Sequence, residues 1–163
     1  MATLQAGLAQ VFKSQLSSPA DVARQIATEY DSYCKNAVAA PGLPVFTGAE
    51  KPAFEGLILA ALSLGENGSA QAVAQSFGDA VNAYWLLPPV PFVGGPATGI
   101  VTVVSGAMAI VAPLAAAFGN TKNTEDSIAL QIATQLDIAT KTVLVTYTTP
   151  PPPAGPPPPA LVF

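Results

Sequence analysis

Residues 22–33 read VARQIATEYDSY, and residues 128–139 read IALQIATQLDIA. The runs agree at Ala23/Ala129, Gln25/Gln131, Ile26/Ile132, Ala27/Ala133, Thr28/Thr134 and Asp31/Asp137, with Phe12/Phe118 ahead of them at the same spacing. A fainter copy lies between: Val73-Ala74-Gln75 answers Val22-Ala23-Arg24, and Tyr84 answers Tyr33. In each copy an apolar residue recurs every fourth place, at 22/26/30, 73/77/81 and 128/132/136. That period is one face of a helix. Beside each stripe lie small residues, Ala23 and Ala27, Ala74 and Gly78, Ala129 and Ala133. A row of small residues four apart lets helix backbones pack closely.

Upstream of each copy runs a second helical stripe. Leu4, Leu8, Val11 and Phe12 form the first; Phe54, Ile58, Ala61 and Leu62 the second; Ile110, Leu114, Ala117 and Phe118 the third. The expected fold is mainly α, three repeated helical hairpins at about 3–39, 52–86 and 105–140 that share a core. Ser18-Pro19 with Asp21, Ser69 or Asn67, and Thr124 with Glu125 and Asp126 supply the helix starts. The helix after Ser18 is expected to end near Ala39-Ala40, before a Pro41–Glu50 loop. Leu86–Pro96 reads as an ordered linker. Ile100–Val104 is either a short strand or an early start to the next helix. Thr142–Thr149 reads as a strand or extended arm, and whether the two β-branched runs pair is open.

The chain divides into a helical-hairpin domain, 1–148, and a proline-rich arm, 149–163. Proline blocks favour polyproline II, so Pro150–Pro159 is expected to span on the order of 30 Å. This stiff spacer carries the apolar hook Leu161-Val162-Phe163. Polyproline loses little entropy on docking, and apolar tips mark contact sites. The expected partner-binding residues are Val143, Val145, Tyr147, Pro150, Pro153, Pro156, Pro159, Leu161, Val162 and Phe163.

Half of the 163 residues are apolar and only 10% are charged, against an ordinary figure of about 25%. Such a surface is short of solvating groups, which points to cover by other subunits, of the same or another chain. The six cations are scattered and the net charge is −4; nucleic-acid binding needs clustered cations, so no nucleic-acid partner is expected. The first residues, MATLQAGL, lack the basic start and apolar run of a signal peptide. Gly99–Gly119 is uncharged and long enough to span a bilayer. A membrane-spanning protein is therefore the alternative reading, set against burial of an all-apolar helix in protein.

Histidine is absent and Cys34 is alone, so neither an internal disulfide nor a His/Cys metal site is expected. Gly94-Gly95 lacks phosphate-loop spacing, and no EF-hand loop occurs. Serines have no histidine base, and Lys13 beside Ser14 stands without supporting context. Glu29 and Asp31 fall on different helix sides. The aromatic stripe of Tyr30, Tyr33, Phe77, Tyr84 and Trp85 reads as core. No catalytic residue, cofactor or metal is expected, and the chain reads as a non-enzyme.

Alanine-rich helices patterned as VARQIATEYDSY and IALQIATQLDIAT, followed by TYTTPPPPAGPPPP (146–159), resemble small virion structural proteins of tailed bacteriophages. The resemblance implies a neck, tail or baseplate component, assembled in the host cytoplasm in several copies around an axis. It carries over no individual functional residue.

Overall fold

The computed structural model describes residues 1–14, 18–36, 38–39, 43–44, 51–64, 68–86, 98–148 and 160–161, and within them the chain is mainly helical. Helix α1 (Ala2–Lys13) buries Leu4, Leu8 and Val11. Ser18 starts α2 (Pro19–Cys34). Its hydroxyl accepts the Asp21 amide at 3.2 Å, and Pro19 sits where its missing N–H costs nothing. Helix α3 (Lys51–Ser63) buries Phe54, Ile58 and Ala61. Helix α4 (Ala70–Leu86) is capped by Ser69, which accepts the Ala72 amide at 3.1 Å. Helices α5 (Gly106–Ala109) and α6 (Val111–Gly119) follow, then α7 (Glu125–Lys141), where Thr124 accepts the Ser127 amide at 3.3 Å.

Two expectations about helix limits are corrected. Helix α2 ends at Cys34, not near Ala40, because Val38–Ala39 is strand β1, paired antiparallel with β2 (Leu43–Pro44). The last turn tightens there: the Asn36 amide donates to the Tyr33 carbonyl at 3.2 Å, and its side chain caps Ser32 at 2.9 Å. The helix leading to Phe118 is broken at Ile110. Pro113 supplies the reason. It cannot donate to the Ala109 carbonyl, and its ring crowds that oxygen. The expected linker beyond Leu86, from 87 to 96, lies outside the described residues, as do most of 41–50.

Around the molecule, α1 packs on α2, α2 on α3, α3 on α4, α4 on α6, α6 on α7, and α7 back on α1. The six helices therefore close a ring, with α5 wedged against α4 and α7. The small residues line the inner contacts: Ala23, Ala27, Ala74, Ala129 and Ala133 are all at most 1% exposed. The middle is filled by aromatic rings. Tyr30 stacks on Phe54 at 4.8 Å and tilts against Tyr84 at 4.9 Å between centroids, and Trp85 meets Tyr84 edge-on at 5.6 Å.

Strand β3 (Thr98–Val104) precedes α5, and β4 (Val143–Thr148) follows α7. They pair antiparallel from Thr98↔Thr148 to Val104↔Val143, with Thr102 as the extra residue of a bulge. The open question of that pairing is thereby answered. A short strand β5 (Ala160–Leu161) adds to the other edge of β4, through Leu144↔Leu161 and Val145↔Ala160. The Gly99–Gly119 stretch is thus divided among β3, α5 and α6. Among the described residues no helix is long and apolar enough to cross a membrane.

Two glycines test the packing in opposite directions. A methyl at Gly106 would lie 2.6 Å from the Ala139 Cα and press on Thr142, whereas one at Gly56, inside α3, would meet nothing within 4 Å. Gly106→Ala is expected to lower unfolding stability by about 1–3 kcal/mol, and Gly56→Ala to raise it by about 0.5–1 kcal/mol. Urea titration followed by circular dichroism checks both.

Candidate functional site

Three polar or cavity-forming features stand out in the ring: one at each end and one at its centre. The first end is where α2, α4 and α7 terminate. Asp31 of α2 is 5% exposed; it accepts Tyr84 of α4 on Oδ1 at 3.2 Å and Lys35 on Oδ2 at 2.6 Å. Asp137 of α7 is 7% exposed; it accepts the Tyr33 hydroxyl of α2 on Oδ1 and Lys141 on Oδ2 at 2.9 Å. The two arrangements match atom for atom. Each acid is met by a tyrosine from another helix and by a lysine one turn on along its own. The corresponding place on α4 holds Asn82, and on α7 Ala139 stands where the other two helices have tyrosine.

The electrostatics follow from burial and these bonds. Burial by itself pushes the Asp137 carboxyl up, but the bonds from Tyr33 and Lys141 outweigh it and hold the group below 3.8. Burial, then the Asp137 partner, raises the Tyr33 phenol well above its usual value. Burial and the nearby Cys34 and Tyr30 raise the Tyr84 phenol likewise. These tyrosines are donors, held protonated at any ordinary pH.

At the centre, the Trp85 indole donates to the Tyr30 hydroxyl at 2.9 Å. Thr140 donates to the Leu136 carbonyl at 2.8 Å, so the 3.0 Å contact between Tyr30 and Thr140 has Tyr30 as donor. Cys34 is fully buried beside Tyr30, Tyr84 and Thr140, and burial pushes its thiol far above 9.0. A thiol kept protonated is a packing group, not a nucleophile.

The opposite end is apolar. The last turns of α1, α3 and α6 bring Phe12, Leu62 and Phe118 around an opening. Val73, Ile128, Ile26, Phe77 and Ile132, from α2, α4 and α7, form its floor and walls. The cavity holds about 350 Å³, and among the described residues Glu125, exposed at the start of α7, is the one charged residue on its lining. Phe77 and Phe118 tilt against one another there at 5.5 Å.

The residues expected to bind a partner fall in three groups. Val143 is fully buried in the core, so it is corrected to a packing residue: its strand enters the body with that side inward. Val145 and Tyr147 lie on β4, at the Val101 and Gly99 register positions, and Leu161 lies on β5 opposite Leu144. Pro150, Pro153, Pro156, Pro159, Val162 and Phe163 lie outside the described residues. Sequence reasoning missed the two acid clusters. Asp31→Lys35 and Asp137→Lys141, each i to i+4, were available as a signal. The tyrosine partners come from other helices and were not. No family model, no curated protein and no solved structure matches this chain.

Two outcomes are expected. Asp137 contributes stability in full above 3.8, and that contribution fades as pH falls through its depressed folded value. Asp137→Asn should therefore be less stable than the parent at pH 7, with the gap narrowing in acid, as read by urea midpoints. Cys34 should ignore a thiol-specific disulfide reagent in the native protein and react stoichiometrically in 6 M guanidinium, which an absorbance assay measures (that concentration being about the level that unfolds even hyperstable proteins).

Proposed function

We propose that this chain is a non-enzymatic structural protein whose three repeated helical hairpins form one body and whose proline-rich arm secures neighbouring subunits. The repeat is supported by matching burial. Leu4, Leu8 and Val11 answer Phe54, Ile58 and Ala61, and again Ile110, Leu114 and Ala117. Ala23, Ile26 and Ala27 answer Ala74, Phe77 and Gly78, then Ala129, Ile132 and Ala133. The closed helix ring and the twice-made Tyr–Asp–Lys cluster agree with copies of one unit set around a common axis.

The outer face of α7 carries the assembly reading. Leu130 and Ile138 are 41% and 43% exposed, with Thr134 between them on one ridge. From Ser127 to Thr140 the only charge is Asp137, which is buried. A helix face of three turns with apolar tips and no charge suits a subunit contact better than water. Two-residue pairing of β5 on β4 supports the second element: the arm carries backbone able to extend a sheet edge. Together with the resemblance to phage virion proteins, these features favour a multi-copy component of a neck, tail or baseplate. Its partners are subunits of the same assembly.

Light scattering on the purified chain should report self-association. Leu130→Glu with Ile138→Glu is expected to keep the helical circular dichroism signal and to lower the particle mass. Removal of 149–163 should leave a folded body that no longer joins its complex. Normal assembly by the truncated chain would rule out the clasp, and a parent that stays single at high concentration would rule out the assembly reading.

A further inference from the structure

The apolar cavity at the hairpin-turn end has no part in the contacts proposed for α7 or for the arm. Its walls come from all three hairpins: Phe12, Leu62 and Phe118 at the mouth, Phe77 and Ile132 deeper in. Protein interiors normally close to crystal-like density. This space is open to solvent at its mouth. Its volume is about 350 Å³. An apolar cavity of about 150 Å³ already holds a benzene ring, so the space suits a ring with a short chain attached.

Among the described residues one charged group, the exposed Glu125, marks the rim. Glu125 lies beside Ile128 and Ile132 on α7. Its neighbour Asp126 is taken up by Lys13 at 2.6 Å. Among the described residues no cation pairs with Glu125. An apolar space with an exposed carboxylate at its rim complements a molecule that is hydrocarbon at one end and positive at the other. We propose that this cavity binds a small hydrophobic ammonium ion, its hydrocarbon part among Phe12, Phe77 and Phe118 and its ammonium group on Glu125. The ring faces of the phenylalanines also favour a nearby cation.

2-Phenylethylammonium is a suitable probe, with ethylbenzene and 3-phenylpropionate as neutral and anionic controls. Isothermal titration of the full chain should show saturable one-to-one binding of the ammonium ion in the millimolar range or tighter, and none of the anion. Glu125→Gln should weaken the ammonium about threefold and bring it level with ethylbenzene. Ile128→Trp should fill the chamber and abolish binding of both. If that variant loses its cooperative melt, Val73→Trp fills the chamber from α4 instead. No binding of the ammonium, equal binding of all three compounds, or an unchanged Glu125→Gln variant overturns the proposal. Loss of self-association in the filled variant, with no ammonium binding to the parent, also overturns it and gives the cavity to a second copy.

Discussion

Two carboxylates inside a helical ring set the terms for the rest of the body. An unpaired buried charge is costly enough to unfold a small domain. Asp31 and Asp137 are therefore held by a tyrosine from one side and a lysine from another. Each tyrosine crosses to a different helix, so α4 is tied to α2 and α2 to α7. The lysines close over the acids from the surface, the Lys35 and Lys141 side chains being 53% and 55% exposed. Hydrophobic contact would let these helices rotate or slide. Directed bonds at their ends specify one arrangement.

The rest of the packing accepts that arrangement. Small residues on the inner faces let α2, α4 and α7 stand close enough to share the Tyr30 hydroxyl, where Trp85, Thr140 and Cys34 converge. Those three come from the last turn of each of the three helices. A bulky residue, a hydroxyl and a thiol fill corresponding places, so the centre is asymmetric in chemistry though regular in plan. At the far end Lys13 of α1 meets Asp126 of α7, and the helices surround an apolar space.

Much of this plan was legible in the residues. Stripes every fourth place located the helices, and Ser18, Ser69 and Thr124 marked their starts. Errors came where a distant partner decides. Val38 looked like helix because its pairing with Pro44 needs a turn back of the chain. Val143 looked like a contact residue because alternation along a strand gives two faces without saying which is inward. Asp31 and Asp137 stood out only as matching positions of the repeat, since nothing local announces Tyr84 or Tyr33 above them. Pro113 is a local signal for the break at Ile110, and its effect falls on the carbonyl four residues earlier.

The seam between α1 and α7 has a consequence for how the molecule is made. These helices are the first and the last of the body, and the ring is sealed only where they touch. At a translation rate of roughly 5–20 residues per second, α1 waits on the order of ten seconds for its neighbour. Through that interval Leu4, Leu8 and Val11 have no final cover on one flank. A nascent chain in this state offers a greasy edge to any other nascent copy, and a ring sealed between two chains satisfies the same contacts as a ring sealed within one. Exchange of α1 between molecules would therefore be a route from synthesis at high polysome density to interlocked pairs.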